Sequence, residues 1–419
     1  MTRDGDKGPV AATLTSDVVI VGGGLVGASL GLALSSGGLD VVVIDANEPA
    51  EAVVPAFDGR ASAVAFASCR MLQQLGLWGG LAPEAQPIND IVVSDGQVRN
   101  GAAPLFLHFD HQEIGTEPLG HMIENRHLRV ALQKGMAAAD TLTLLAPCFV
   151  ETVDYHRDGV EVRLADGTVV QAKLCIAADG RNSRTRDAVG LKTISWSYDQ
   201  CGIVATVQHA QSHQGVAHEY FLPSGPFAIL PLTENRSSLV WTEAADLTPA
   251  FLEMPDADFN QAMQDRFGSF LGDANVIGKR WSYPLGLQLS HEYVAPRLVL
   301  VGDAAHAIHP IAGQGFNMGL RDVAALSEVL IDAARLGLDI GAPDVLQRYQ
   351  TWRRFDNVLL AGITDVLNRL FSNDFAPLRL ARGLGLAAVG QIGPLRRFFM
   401  SHAGGAVGDL PRLLRGEPL

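Results

Sequence analysis

Residues 18–27 read Val-Val-Ile-Val-Gly-Gly-Gly-Leu-Val-Gly, and this stretch decides the fold. Its β-branched run predicts a strand, its glycines have the spacing G-x-G-x-x-G, and residues 25–34 have the composition of a helix. A second predicted strand, residues 41–44, ends at Asp45. A strand, glycine turn, helix and acidic strand end within about 30 residues are typical of a dinucleotide-binding unit.

Each glycine of this turn has a physical task. Gly22 turns the chain, Gly24 lets backbone N–H groups approach a pyrophosphate at the helix N-terminus, and Gly27 lets helix and strand pack closely. The carboxylate of Asp45 suits a ribose diol. These features do not distinguish FAD from NAD.

Two other interpretations of this stretch are weaker. The 22 residues between Asp17 and Asp40 carry no charge and are long enough to span a membrane, but the β-branched run and glycine turn favour the strand-turn-helix interpretation. Residues 27–31 match the nucleophile motif G-x-S-x-G. That motif needs its serine on a turn directly after a strand, whereas Ser29 is expected inside the helix.

Composition excludes several protein classes. Of 419 residues, 47% are hydrophobic and 18% charged, which excludes a disordered chain, and the net charge of −13 argues against a molecule-wide nucleic-acid surface. The four cysteines form no CxxC pattern, so we expect a reducing compartment without a disulfide framework. Residues 1–16 are expected to be a flexible tail rather than a signal peptide. His-x-x-His spacings occur at 108/111 and 306/309, without further ligands that would predict a metal site.

The middle of the chain departs from alternating strands and helices. Residues 160–164 and 169–174 flank an Asp-Gly turn and predict a hairpin. Further strand-like runs between residues 202 and 290 are interrupted by prolines and predict an antiparallel sheet. From Asn317 onward helical periodicity dominates, with Pro343 as a first-turn proline.

Two further motifs follow predicted strands. One is Asp179-Gly180, and the other is Gly302-Asp303, where a strand delivers a carboxylate to its end. After Gly302-Asp303, a glycine-rich loop opens a helix near Asn317. Unpaired N–H groups at such a helix start suit delocalised negative charge, as on a reduced flavin.

In combination, these three motifs resemble the single-component FAD-dependent aromatic hydroxylases of the para-hydroxybenzoate hydroxylase fold. Residues 309–323, His-Pro-Ile-Ala-Gly-Gln-Gly-Phe-Asn-Met-Gly-Leu-Arg-Asp-Val, resemble the ubiquinone-biosynthesis hydroxylase branch of that family. Residues 58–61, 75–78 and 124–128 fit the same branch, and the resemblance covers residues 17–370 in consistent order.

The resemblance implies an α/β (α+β) fold in which a Rossmann-like FAD-binding domain carries an inserted antiparallel-sheet substrate domain and C-terminal helices. The expected FAD-binding domain comprises residues 17–85, 120–190 and 291–340. The expected substrate domain comprises residues 86–119 and 191–290, and the helical region residues 341–419.

The resemblance also implies roles for individual residues. Gly22, Gly24 and Gly27 would hold the FAD pyrophosphate, Asp45 the adenosine ribose, Arg60 and Arg126 the phosphates or ribityl chain, Asp303 the ribityl hydroxyls, and Asp179-Gly180 both FAD and NADPH. The loop facing the isoalloxazine would comprise Pro310, Gly313, Gln314, Gly315, Phe316 and Asn317. No catalytic base is assigned, and a structural role is favoured for His306 and His309.

The implied activity is hydroxylation of the aromatic ring of a polyprenyl phenol in ubiquinone biosynthesis, with bound FAD, NADPH or NADH, and O2. The alternatives are a flavin-dependent reductase or dehydrogenase of the same fold, an NAD-dependent dehydrogenase, and a non-catalytic scaffold in a quinone-synthesis complex. The expected location is the cytoplasm, with a peripheral position on the inner membrane as an alternative. We expect no nucleic-acid partner, and the sequence does not decide whether the protein forms an oligomer.

The C-terminal charge differs from that of the rest of the chain. Residues 343–419 contain 10 Arg and no Lys against 6 acidic residues, a net charge of +4, which leaves −17 for residues 1–342. Arginines interleaved with apolar residues suggest a basic amphipathic surface for a membrane or a quinone-synthesis complex. A solvated helix that packs on the core explains the same pattern.

Overall fold

The computed structural model describes residues 12–49, 59–98 and 101–372, and beyond these residues 382, 385, 389, 391–394, 396–397, 400, 404–405 and 408–419. Most of the expected N-terminal tail, Asp58 of the 58–61 motif and much of the predicted C-terminal helical region lie outside the described residues.

The first sheet contains the nucleotide motif and is built on parallel strands. Its main path runs β17-β18-β11-β1-β2-β8, and a hairpin of β9 and β10 extends from β11. The strands are β1 (Thr13–Val21), β2 (Val41–Ile44), β8 (Leu142–Leu145), β9 (Val150–Tyr155), β10 (Val160–Leu164), β11 (Val169–Ala177), β17 (Val294–Ala295) and β18 (Leu298–Leu300). Both the predicted first unit and the predicted hairpin are confirmed. The hairpin strand β11 also pairs in parallel with β1.

Helices cover this sheet and complete its core. They are α1 (Leu25–Ser36), α2 (Phe66–Gln74), α3 (Trp78–Leu81), α4 (Asn125–Ala138), α5 (Arg184–Ala188), α8 (Gln314–Arg335), α9 (Pro343–Phe371) and α10 (Arg412–Arg415), with α6 and α7 belonging to the second sheet. Ser29 is fully buried in α1, and its hydroxyl donates to the carbonyl of Leu25 at 2.7 Å. It is therefore a helix-packing residue, and α9 begins at Pro343 as predicted.

The second sheet has eight strands in the order β19-β16-β12-β15-β14-β13-β5-β6. They are β5 (Asp90–Gln97), β6 (Gly101–Asp110), β12 (Thr193–His209), β13 (Val216–Leu222), β14 (Gly225–Leu232), β15 (Arg236–Ala244), β16 (Ala274–Ser290) and β19 (His306–Ala307). Its pairings are antiparallel except for β13 with β5. Helices α6 (Thr248–Glu253) and α7 (Asp256–Phe267) pack on one face around the buried side chain of Trp241.

A small third sheet connects the two large ones. It consists of β3 (Ala61–Ala65), β4 (Gln86–Ile88) and β7 (Gly120–Glu124), with β7 in the centre. Leu413 and Leu414 of α10 are buried in the core of the first sheet, so the C-terminal part of the chain helps to complete the nucleotide-binding core.

Candidate functional site

The glycine turn after β1 is shaped by close backbone approaches. A Cβ added to Gly27 would lie 1.9 Å from the carbonyl oxygen of Gly22, and one added to Gly22 would lie 2.4 Å from that of Ala178. Gly22 also has a φ of +105°, which disfavours other residues. By contrast, nothing lies within 4 Å of a Cβ on Gly24, the residue that precedes α1. The turn is thus closed on its protein side and open above the helix N-terminus.

Asp45 lies at the end of β2 and faces this turn. Its Oδ2 accepts a hydrogen bond from the backbone N–H of Gly23 at 2.7 Å, and its Oδ1 accepts one from the N–H of Asn47. Oδ1 also accepts a hydrogen bond from the side-chain amide of Asn47 at 2.9 Å, so Oδ2, which among the described residues accepts only the one from Gly23, keeps a lone pair that can receive a ribose hydroxyl.

The three sequence motifs meet at one edge of the first sheet. Strands β1, β11 and β18 are neighbours, and the parallel register aligns Val21 with Ala177 and Ala177 with Leu300. The turns that follow them therefore lie side by side, as in other open α/β sheets that bind ligands beyond their carboxyl ends. Segments separated by more than a hundred residues in the chain form one site.

Asp303 and Asp179 present carboxyl groups at this edge. Asp303 lines the cavity described below, and burial raises the pKa of its carboxyl group. Asp179 Oδ2 accepts hydrogen bonds from the backbone N–H and the hydroxyl of Thr185, at 3.1 and 2.9 Å. Its Oδ1 is buried without a hydrogen-bond partner among the described residues. Such an orphaned acceptor fits a site that is completed by a ligand with hydroxyl groups.

The predicted flavin-facing loop leads directly into α8. Gly313 has a φ of +62° and precedes the first turn of α8, while nothing lies within 4 Å of a Cβ on Gly315. The amide of Asn317 is used within the protein. Its Oδ1 accepts from the N–H of Ala65, and its Nδ2 donates to the carbonyls of Ala63 and Gly313. Asn317 therefore holds the loop against β3.

Arg60 directly precedes β3 of the third sheet, and Arg126 lies in the first turn of α4, which follows β7. The carbonyl of Arg60 accepts a hydrogen bond from the N–H of Asn125, and Arg126 forms an ion pair with Glu124 at 3.0 Å. Neither arginine side chain lines the cavity. Between them, Asn125 and Ser62 do line it and are hydrogen-bonded to each other at 2.7 Å.

A buried polar network supports the Gly302-Asp303 turn from below. Asp322 is fully buried and accepts hydrogen bonds from the Gly302 N–H at 3.1 Å, the Arg353 guanidinium at 2.9 Å, Asn357 at 3.2 Å and the His306 ring. Burial alone would raise the pKa of Asp322, but the charges and hydrogen bonds of His306 and Arg353 lower it to about 2. His306 is thus a buried member of this network, hydrogen-bonded to Asp322.

His309 differs from His306. It is 1% exposed, and both ring nitrogens lack hydrogen-bond partners among the described residues. Burial lowers the pKa of its imidazole to about 4, so the ring is neutral at physiological pH. Its ring meets that of Tyr198 edge-on, with 5.4 Å between the centroids. No cluster of three or more His, Cys, Asp or Glu that could hold a metal ion occurs in the part of the chain that the structure describes.

A cavity of about 1110 Å³ joins the motif edge to the second sheet. At one end lie Gly24, Asp303 and residues 313–317, and the opposite wall is formed by apolar side chains of the second sheet. Leu367, Leu370 and Phe371 of α9 line it as well. The volume exceeds that of typical small-ligand pockets, so it has room for a cofactor ring together with an apolar substrate.

Comparison with known proteins identifies this arrangement. Residues 15–356 match the FAD binding domain family. The chain is 50% identical over 417 residues to the ubiquinone hydroxylase UbiL of Rhodospirillum rubrum, covering 98% of this chain and 96% of that protein. It is 36% identical to the 3-demethoxyubiquinol 3-hydroxylase of Escherichia coli K12, covering 93% and 98%.

The chain belongs to the FAD-dependent ubiquinone hydroxylase family.

More distant relatives agree with this membership. The chain is 33% identical to the human mitochondrial ubiquinone biosynthesis monooxygenase COQ6, covering 92% of each protein. Among solved structures, the p-nitrophenol 4-monooxygenase PnpA of Pseudomonas putida DLL-E4 superposes with a TM-score of 0.78 at 20% identity, covering 95% of this chain and all of that one. The superposition confirms the predicted α/β fold, and the sequence relatives together with the matched FAD binding domain family confirm the predicted family. The ubiquinone hydroxylase relatives and the FAD-binding family confirm FAD as the cofactor of this monooxygenase.

The residues present fit FAD. The glycine turn is open above α1, Asp179 keeps an orphaned buried oxygen, and the loop before α8 leaves room beside Gly315. Polar residues that line the cavity and that sequence reasoning missed include Ser62, Asn125, Arg181 and Glu219. For Glu219 a signal existed, because it shares the strand parity of Ala217 and Phe221 in an otherwise apolar alternation.

Proposed function

We propose that this protein hydroxylates the aromatic ring of a polyprenyl phenol in ubiquinone biosynthesis, with NADPH or NADH and O2 as cosubstrates. The observation that best supports this proposal is a continuous cavity that joins the predicted FAD loops to an apolar wall of the second sheet. An apolar wall of this extent suits a prenylated ring, and curated relatives of the chain are named as ubiquinone hydroxylases.

The predicted site residues keep their roles in this proposal. Gly22, Gly24 and Gly27 hold the pyrophosphate, Asp45 the ribose, and Asp303 the ribityl chain. Asp179 and Gly180 serve FAD and the nicotinamide cosubstrate, while Arg60 and Arg126 bind the phosphates or the ribityl chain. Residues 310–317 face the isoalloxazine through backbone groups, with Asn317 as the residue that fixes the loop. We also propose the division of the chain into an FAD-binding domain, a substrate domain and a C-terminal helical region, with the bounds given in the sequence analysis.

The protein positions and shields the reaction. Bound FAD supplies the redox chemistry, in which NADPH electrons and O2 provide one oxygen atom for the ring. The apolar side chains of the second sheet exclude water from the ring, and the N-terminal end of α8 favours negative charge at the flavin. A dry cavity also prevents loss of the activated oxygen to water.

Isotopically labelled O2 tests this function directly. The purified, FAD-loaded protein is incubated with NADPH, labelled O2 and 2-geranylphenol, and the products are analysed by mass spectrometry. We expect one labelled oxygen atom in the ring. NADPH oxidation with an unlabelled or reduced product would instead indicate a reductase of the same fold. The structures of the quinone intermediates that accumulate in a knockout strain then identify the ring carbon that is hydroxylated in the cell.

We further propose that helix α9 contacts a lipid membrane. Its outer face exposes apolar side chains at helical spacing, namely Phe355, Val358, Leu359, Ile363 and Val366. The same helix lines the cavity through Leu367, Leu370 and Phe371, so a prenyl substrate dissolved in the membrane would lie beside its binding cavity. Among the described residues, no helix is long and apolar enough to cross a membrane.

The basic charge of the C-terminal region gives this contact less support than the apolar face does. Described arginines of this region form ion pairs within the protein: Arg382 with Asp95, Arg396 with Glu113, Arg412 with Asp332 and Arg415 with Glu417. Apolar insertion is therefore the proposed mode of binding, at the periphery of the inner membrane.

Vesicle flotation distinguishes these possibilities. Vesicles of phosphatidylcholine with phosphatidylglycerol are mixed with wild type, with a Phe355→Glu/Val366→Glu variant, and with Glu253→Gln as a surface control. We expect flotation of wild type and control only. Equal flotation of all three, or of none, contradicts the proposal.

A further inference from the structure

A carboxyl group lies in the apolar wall of the cavity. Glu219 on β13 is aligned with Ala228 on β14 and with Val93 on β5, and the row continues to Val240 and Leu107 on the next strands. All five residues line the cavity. Glu219 therefore stands in the middle of a row of aliphatic side chains that faces the substrate space.

The neighbours of Glu219 along its own strand are also apolar. Side chains alternate between the two faces of a strand, so Ala217 and Phe221 share its face, while Tyr220 and Leu222 belong to the core on the opposite face. Phe221 stacks on Phe371 of α9 with 4.1 Å between ring centroids. This contact brings α9 to the same part of the wall.

Glu219 has no hydrogen bond or ion pair within the part of the chain that the structure describes. Its strand neighbours offer no charge, and the other charged or titratable residues lining the cavity are Arg181, Asp303, Tyr283, His309, His218 and Arg382. Of these, Arg382 is engaged by Asp95, and the His218 ring packs on Phe270. Burial raises the pKa of the Glu219 carboxyl from its ordinary value of 4.5 to about 7.

A structural explanation of Glu219 is weak. A carboxylate that is removed from bulk water and left without a partner destabilises a folded protein, and an aliphatic residue would fit this wall better. Side chains of this kind in a cavity are typical of functional groups. The remaining accessible surface of Glu219 faces the cavity, where a substrate can reach it.

We infer that Glu219 accepts a hydrogen bond from the phenol hydroxyl of the substrate and takes its proton during hydroxylation; this inference rests on the function proposed above. The O–H bond of the phenol breaks, its electron pair stays on the phenol oxygen, and the proton moves to a carboxylate oxygen of Glu219. Negative charge on that oxygen raises the electron density of the ring carbons ortho and para to it. These carbons then react more readily with the electrophilic oxygen that the cofactor delivers, and the displaced ring proton leaves to water.

Binding measurements test the contact without turnover. The affinity of the FAD-loaded protein for 2-geranylphenol and for its O-methyl ether is measured by calorimetry, with wild type, Glu219→Gln and the surface control Glu253→Gln. Because a hydrogen bond to a charged group is involved, we expect wild type and control to prefer the phenol by about ten-fold or more. Glu219→Gln should lose this preference. A preference that is absent in wild type, or unchanged in Glu219→Gln, overturns the inference.

The pH profile tests the proton transfer. In wild type, kcat/KM for hydroxylation should fall as the pH decreases through about 7, where Glu219 becomes protonated. Glu219→Gln should lower kcat by about a hundred-fold and lose this limb of the profile, since loss of a general base typically costs that much. Reduction of the bound flavin by NADPH should be unchanged, which shows that the cofactor site is intact.

The two proposals fail in different ways. If wild type prefers the phenol in binding, Glu219→Gln loses this preference, and wild type forms no hydroxylated product, the proposed function fails and the assigned contact of Glu219 stands. If wild type hydroxylates 2-geranylphenol and Glu219→Gln does so at the same rate with the same pH profile, the role of Glu219 is refuted and the function stands.

Discussion

Asp322 and Glu219 are both carboxyl groups in the interior of this molecule, and their surroundings are opposite. Asp322 lies beneath the cofactor end of the cavity and accepts hydrogen bonds from a backbone N–H, two side-chain donors and a histidine ring. Glu219 lies in the sheet wall among aliphatic side chains. The pKa is lowered to about 2 for the first and raised to about 7 for the second.

This difference separates two uses of a buried charge. At Asp322 the donors compensate for desolvation and fix the Gly302-Asp303 turn in place. At Glu219 no donor among the described residues compensates for desolvation, so the pKa of the carboxyl group lies close to neutral pH and its oxygens stay available to a ligand. Asp322 should therefore be needed for folding and FAD binding. Glu219 should be needed for the reaction, and it should lower the stability of the folded protein.

Removing the charge of Asp322 should have the largest effect. Asp322→Asn leaves the Arg353 guanidinium buried opposite a neutral amide, and breaking a buried pair in this way costs about 3 to 5 kcal/mol. We expect a large fall in Tm and loss of bound FAD on purification. The matched control Asp332→Asn, on the surface of the same helix, removes a partly exposed pair with Arg412 and should cost under about 1 kcal/mol. Similar losses in both variants would contradict the comparison.

Asp303 should show an intermediate effect that is limited to the cofactor. It lines the cavity without belonging to the buried network, so Asp303→Ala should weaken FAD binding by about ten- to a hundred-fold while the Tm of the FAD-free protein changes little. Titration of the FAD-free protein with FAD, followed by flavin fluorescence, measures this. Unchanged affinity would remove Asp303 from the cofactor site.

Glu219→Gln should change stability less than Asp322→Asn does, and in the opposite direction. The folded protein holds the proton of Glu219 up to about pH 7, whereas the unfolded chain releases it near 4.5. Stability is therefore lost as the pH rises through this window, because the folded state binds more protons than the unfolded state there.

The Gln variant should consequently be more stable than wild type at about pH 8, by about 1 to 3 kcal/mol. The difference should vanish at about pH 4. Thermal unfolding at both pH values, with Glu253→Gln as the exposed control, provides the measurement. A variant that is less stable than wild type at pH 8 would show that Glu219 has a stabilising partner.

The local parts of this architecture could be predicted from the sequence. The glycine turn, the hairpin at residues 160–174 and the first-turn proline of α9 each depend on a few neighbouring residues, and all three are present in the structure. The parallel pairing of β11 with β1 was not predicted, since it joins segments more than 150 residues apart.

The site was predicted less completely for the same reason. Motif glycines reveal themselves by spacing, but Glu219 differs from a surface glutamate only through the sheet that surrounds it. Its strand, Val216–Leu222, is apolar apart from His218 and Glu219, and this pattern does not say which face meets the cavity. Similarly, Asn317 was predicted to face the flavin, and its bonds to Ala63 and Ala65 depend on a strand some 250 residues away.

The strand order of the first sheet also bears on how the protein is made. The three turns of the cofactor site follow β1, β11 and β18, and Leu413 and Leu414 complete the core beneath them. A chain emerging from the ribosome therefore holds β1 without its partner β11 while some 150 further residues are synthesised. A finished site cannot capture FAD until nearly all of the chain has emerged, and until then apolar strands of the first sheet are without their partners.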